Sequence, residues 1–225
     1  MQRHHRSSSG DPFEDGTDQF LRASFDESIG EFPDVLPYTL ECFEKLVGQA
    51  RPAGRIESSK VWTEERLEYD QEDDRPRSMR ATTGWRALRA GHASGPLIGG
   101  EISTLVIQTG TEYMPSVDGA IFFWEDYGSS LAWVDRYLAS LRTKGVFERI
   151  KGMLVGRTRT AGFEPTSTGY GVDNIILDNT KGYDFPVMVN MDFGHTDPMM
   201  TLPIGVRATM HAEKGYLSID EPAIV

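Results

Sequence analysis

Apolar positions recur along this chain with two periods, and each period predicts a different kind of element. In YTLECFEKLV, residues 38–47, Leu40, Phe43 and Leu46 or Val47 fall at helical spacing, with Pro33 and Pro37 ahead of them. Pro52 and Gly54 close that segment. SLAWVDRYLASLRTKGVF places residues 131, 134, 138 and 141 on one helical face, with Gly145 as the stop. A third helix is expected near 172–179. Continuous apolar runs after turn signals predict buried strands in DGAIFFWED (118–126) and IKGMLVGRTR (150–159), and a third in FPVMVNMDFGH (185–195) that runs into a polar turn. Two period-2 runs joined by AEKG, within VRATMHAEKGYLSI, predict a hairpin. Residues 84–115 suggest a strand, a Gly99-Gly100 turn and a second apolar element. Strands and helices alternate through the middle of the chain, so the fold class is α/β.

Other stretches lack such patterning. Residues 1–24 are polar and read as a frayed tail. Residues 57–77 are strongly charged and read as a solvated loop or irregular strand region, with Trp62, Leu67 and Tyr69 as anchors.

Composition narrows the function. At 225 residues the chain is one large or two small domains, with room for a real core. The 34 acidic and 23 basic side chains leave a charge of −11, which argues against nucleic acid as a partner, since phosphate contacts need a basic surface. Neutral or cationic small substrates and protein partners stay open. Cys42 is the single cysteine, so neither an intrachain disulfide nor a cysteine zinc cluster can form. The basic N-terminus has no apolar stretch behind it, and no apolar run approaches the roughly 18 residues that a membrane span needs. The protein is therefore read as soluble and cytoplasmic, with no membrane partner and no cofactor.

Two polar clusters sit where strands are expected to end, the place in α/β sheets where ligands bind: Glu125-Asp126 and Asp192-Phe193-Gly194-His195. A carboxylate beside an imidazole can fix its tautomer for base catalysis. Equally, Glu125 reads as a surface carboxylate and His195 as a turn histidine bonded to backbone. The DFG triplet at 192–194 lacks the HRD triplet and glycine-rich loop of a kinase. Asp192, His195 and Asp197 form a thin candidate metal set, without HExxH or an EF-hand loop. Gly99-Gly100 could aim N–H groups at an anion, or simply make a tight turn. No GxSxG occurs.

Taken in order, PLIGGEISTL, GTEYMP, DGAIFFWED, VDRYLASLRTKGVFERIKGMLVG and PVMVNMDFGHTDPMMTLPIGVRATM resemble the LD-carboxypeptidase family of serine peptidases, in the branch of the microcin C immunity peptidases. GEFPDVLPYT and KVWTEERLEYD fit the same branch, so the likeness covers about residues 25–222. The resemblance implies a Ser-Glu-His triad that cuts an amide at the C-terminal end of a small peptide, muropeptide or peptidyl- or aminoacyl-nucleotide. It implies a swivelling-barrel-like C-terminal domain over 81–225, an incomplete N-terminal α/β domain whose remnant and lid occupy 25–80, and a homodimer. Matched by motif, Glu125 is the triad acid and His195 the triad base. Trp62 matches a lid aromatic, or else plugs a charged loop. Gly99, Gly100 and Glu101 match a substrate-side GGNL-like stretch, with Glu101 replacing a neutral residue where its charge could repel a substrate carboxylate.

The family's nucleophile lies in a GYSDxT-like turn, and no such string occurs in these 225 residues. Ser7, Ser8 and Ser9 lie in the polar tail, Ser28 is out of the family position, and Ser129 and Ser130 follow the glutamate. Two readings stand: a peptidase whose serine comes from elsewhere, or an inactive fragment that binds ligand or a partner without turnover.

Overall fold

The structure is a computed structural model and describes residues 19–21, 30, 33–67, 75–159 and 165–224. Ser7, Ser8, Ser9, Ser28 and Tyr69 lie outside the described residues.

The strands are β1 (Gln19–Leu21), β2 (Gly54–Glu57), β3 (Val61–Trp62), β4 (Arg80–Ala81), β5 (Arg86–Arg89), β6 (His92–Glu101), β7 (Ile121–Glu125), β8 (Gly152–Gly156), β9 (Val187–Met191), β10 (Leu202–Ile204), β11 (Arg207–His211) and β12 (Tyr216–Ile219). The helices are α1 (Pro37–Val47), α2 (Ile102–Gln108), α3 (Leu131–Thr143) and α4 (Val172–Asn179). Eight strands form one mixed sheet in the order β2-β12-β11-β6-β7-β8-β9-β5. Its centre, β6 to β9, is parallel, and antiparallel pairs flank it on both sides. β1 pairs with β10 and β3 with β4. The chain is thus a mixed α/β protein. α1 and β2, from the stretch read as remnant and lid, join the same core and sheet as the rest.

A sheet covered on both faces needs strands that are apolar on both sides. β7 meets that demand: Phe122 and Trp124 enter the core beneath α2, α3 and α4, while Ile121 and Phe123 enter a second core with Cys42 and Leu46 of α1. In α3, Val134, Leu138 and Leu141 are buried as the spacing predicts. The helix ends at Gly145, whose φ is 75°. Val146 N–H donates to the Leu141 carbonyl and Gly145 N–H to that of Arg142, a Schellman closure that needs a left-handed residue at that point. α1 opens on Pro37, whose fixed φ suits a first turn that has no use for its N–H.

One expectation is corrected. Gly99 and Gly100 make no turn; both lie inside β6, paired with Phe123 and Trp124 of β7. A Cβ on Gly99 would overlap the Phe123 carbonyl oxygen, so the glycine serves close backbone packing rather than chain reversal. The apolar element after it is α2. No helix among the described residues is long and apolar enough to cross a membrane.

Candidate active site at the carboxyl edge of the parallel strands

Parallel strands end on a common edge, so β6, β7, β8 and β9 deliver the residues at their carboxyl ends to one place. These are Glu101, Glu125 with Asp126, Arg157, and Asp192 through His195. Glu125 is 3% exposed. Its Oε2 lies 2.6 Å from Nδ1 of His195, which remains about one-third exposed. An ionised carboxylate can only accept, so in the neutral imidazole this contact puts the proton on Nδ1 and leaves the lone pair on Nε2. The Tyr127 ring packs 4.4 Å from the imidazole, and the guanidiniums of Arg66 and Arg159 lie against Tyr127 in turn.

Gly194 makes this contact sterically feasible. Its φ is +106°, and a Cβ there would stand 2.9 Å from both Cβ and Oε2 of Glu125. Gly156, at the end of β8, presses on the other side: a Cβ there would sit 2.8 Å from Glu125 Cβ. Gly194→Ala must therefore strain the backbone and push the carboxylate away. The expected loss is about 1–3 kcal/mol in a urea unfolding titration, with a displaced His195 ring resonance.

A buried network holds the loop that carries His195. Arg157 donates to Asp192 Oδ1 at 2.6 Å, with both side chains at most 5% exposed. Asp192 Oδ2 accepts from Trp85 Nε1 at 2.7 Å and from the Ser59 N–H at 2.8 Å. Arg157 also donates to Asn190 Oδ1 at 2.6 Å, and Asn190 Nδ2 donates to the Gly84 carbonyl. These bonds hold Asn190 at a left-handed φ of 64°, a strained conformation for a residue with a Cβ. Further along the loop, Thr63 and Asp197 exchange backbone hydrogen bonds at 2.7 and 2.9 Å, and Arg77 donates to Asp197 Oδ2 at 2.9 Å.

The alternative metal set does not converge. Asp192 and Asp197 each face an arginine and His195 faces Glu125, and among the described residues no group of three or more His, Cys, Asp and Glu side chains could hold a metal ion. Trp62 is not on the cleft beside His195; its ring lies 5.1 Å from the Arg157 guanidinium and 5.3 Å from that of Arg80.

Glu101 and His195 line one open cleft of about 640 Å³. The Glu101 carboxylate caps α2, accepting from the backbone N–H and the hydroxyl of both Ser103 and Thr104. Burial opposes its charge, but these donors outweigh it and hold the carboxyl below its usual range. Its charge is therefore fixed and already engaged. Ser103, Ser129 and Ser130 share the cleft, yet among the described residues no serine hydroxyl bonds to His195. The sequence reading missed Arg157, whose side-chain partners lie 33 to 75 positions away, and the cleft aromatics Trp133 and Tyr137. A signal existed for the latter two: they stand four residues apart on α3, with Trp133 off its buried face and Tyr137 at the edge of it.

Residues 94–210 match the family model described as the LD-carboxypeptidase C-terminal domain. An inferred carboxypeptidase of Treponema pallidum is 31% identical over 188 residues, 82% of this chain and 52% of that protein. The microcin C7 self-immunity protein MccF of Escherichia coli is 26% identical over 197 residues, 86% of this chain and 56% of that one. The chain thus spans about half the length of the curated relatives it matches. Among solved structures, MccF in complex with aspartyl sulfamoyl adenosine superposes with a TM-score of 0.81 at 25% identity, covering 94% of this chain and 63% of that one.

Proposed function

The chain belongs to the LD-carboxypeptidase C-terminal domain family, and from that premise we propose that it supplies the acid and base of a serine-type amide hydrolysis. The observation that carries this reading is the 2.6 Å contact between Glu125 and His195, made across 70 positions of sequence by two strand ends. Glu125 orients the ring and stabilises the imidazolium as it forms. Nε2 takes the proton from a serine hydroxyl as that oxygen attacks the carbonyl, then gives it to the departing nitrogen. The substrate class is an aminoacyl- or peptidyl-nucleotide, or a small peptide or muropeptide cut at its C-terminal end. Support for the former comes from the aspartyl sulfamoyl adenosine bound by MccF.

A second reading is binding without turnover. It is favoured by the absence, among the described residues, of a serine hydroxyl bonded to His195. One experiment separates the two. The purified chain is incubated with aspartyl sulfamoyl adenosine and, separately, with a muropeptide tetrapeptide, and products are read by mass spectrometry. Release of free aspartate or of D-alanine is expected for the peptidase. Calorimetric binding of either compound with no release from folded protein selects the binding-only reading.

A further inference from the structure

We propose that His92 and His211 form a two-histidine chelate for a divalent ion of the zinc type, on the face of the sheet turned away from the core and far from the cleft beside His195. The two residues stand directly opposite each other on β6 and β11. Just outside the pair, the Ala212 N–H donates to the Gly91 carbonyl, so His92 and His211 are a non-hydrogen-bonded pair, the kind whose Cα atoms approach to about 4.5 Å. Their ring centroids lie 5.4 Å apart. Two imidazoles that share a tetrahedral zinc, each nitrogen ~2.0–2.1 Å from the ion, have centroids about 5 Å apart. The backbone therefore already sets the spacing of a chelate. The rings are inclined by 23°, and rotation about the soft χ2 torsions turns one nitrogen of each towards a shared ion.

The surroundings suit this role. Ala93, Ala208 and Met210 are buried in the core, so the alternation along β6 and β11 puts His92, Ser94, Thr209 and His211 on the opposite face. The hydroxyls of Ser94 and Thr209 satisfy each other at 2.6 Å, whereas among the described residues no hydrogen bond engages either imidazole. Tyr216 packs 4.7 Å from His211 on the side away from His92, and Arg55 lies over Tyr216 and pairs with Glu57 at 2.6 Å. His211 is thus held in place while His92 is exposed to water. Partial burial, then Lys214 and His92, hold the His211 imidazolium below its ordinary pKa, with Arg55 adding to this and Glu213 opposing it, so the ring offers a neutral nitrogen at neutral pH. No third His, Cys, Asp or Glu joins the pair among the described residues, so water completes the shell and the ion exchanges. The pair spans the seam where β11, β12 and β2 join the parallel centre of the sheet, and a bound ion would staple that seam. β6 runs ten residues from His92 to Glu101. That is about 30 Å of strand, so the chelate and the cleft lie at opposite ends.

The test uses the 225-residue chain labelled with ¹⁵N, titrated with zinc chloride at neutral pH. The ring nitrogens of His92 and His211 are expected to shift together and to saturate at one zinc per pair. Magnesium chloride, whose ion seeks oxygen ligands, should move neither. The separate resonances of His4, His5 and His195 report any binding elsewhere. His92→Ala should weaken zinc binding at His211 at least about tenfold, because the second imidazole of a chelate binds at high effective concentration. His92→Phe keeps an aromatic ring without a nitrogen and should do the same, which separates ligation from ring contact. Zinc should also slow amide exchange at Ala93 and Met210, which face each other across the seam, and should not do so in either variant. A shift confined to one ring, no shift of either ring at millimolar zinc, or undiminished affinity in both variants overturns the chelate. Joint shifts with exchange unslowed at Ala93 and Met210 overturn the staple. No substrate is needed, so the result stands apart from the hydrolysis experiment.

Discussion

On the hydrolysis proposed above, replacing His195 by Asn is expected to lower kcat/KM for aspartyl sulfamoyl adenosine by about 10³–10⁴-fold, and Glu125→Gln by a similar factor. The reasons differ. Without the imidazole, the base assigned to the serine proton is gone. In the Glu125→Gln variant, the new side-chain amide can donate to Nδ1, which turns the ring to the tautomer whose Nε2 is already protonated and useless as a base. Because the two residues act as one unit, the double variant should lose little more than either single one. Additive losses would show that the two do not act as a unit, and a drop of less than about tenfold in either variant with the fold intact by circular dichroism would remove that residue from the reaction. Neither variant should perturb the sheet much. His195 sits at the rim, and Glu125→Gln preserves the side-chain volume that Gly156 and Gly194 press upon.

The elements that could be read from sequence are those whose signal is local. α3 carries its buried face at a spacing set by the helix, and Gly145 marks its end because only a left-handed residue closes it. β7 reads as a buried strand because both its faces are covered, which leaves no polar position in IFFW. The β11–β12 hairpin is legible for the opposite reason: only one of its faces is buried, so its positions alternate. Gly99 and Gly100 misled because glycine has two uses. It reverses a chain, and it lets two backbones meet, and only the position of Phe123 on the neighbouring strand tells which applies. At the site, Glu125 and His195 could be nominated from strand ends and family motifs, but not their contact, which depends on the parallel pairing of β7, β8 and β9. Asp192 looked like a candidate ligand because nothing near it in sequence announces Arg157, Trp85 or Ser59. Glu101 looked like a free charge facing substrate, and its engagement with α2 was missed because glutamate is not among the preferred N-cap residues.

The Arg157–Asp192 pair carries the largest expected effect on stability. Both groups are out of water, so their attraction offsets a large desolvation penalty only while both are present. Arg157→Met leaves Asp192 ionised and buried, with Trp85 and Ser59 as its remaining partners, and should destabilise the fold by about 3–5 kcal/mol in urea titrations. Adding Asp192→Asn to that variant should recover a substantial part of the loss. Asparagine can still accept from Trp85 and Ser59, and no unpaired charge remains. High salt should change the cost of Arg157→Met little, because a pair this deeply buried is poorly screened. The same variant also frees Asn190 from one of the two bonds that hold its left-handed backbone, at the end of the strand that leads into His195. Arg157 is therefore a positioning residue. In the rescued double variant the fold should return while His195 remains imperfectly placed, so kcat should fall by about 10²-fold with KM nearly unchanged. A double variant with wild-type kcat would show that the network supports the core alone, and a cost below about 1 kcal/mol for Arg157→Met would show that the pair is not the clamp its burial implies.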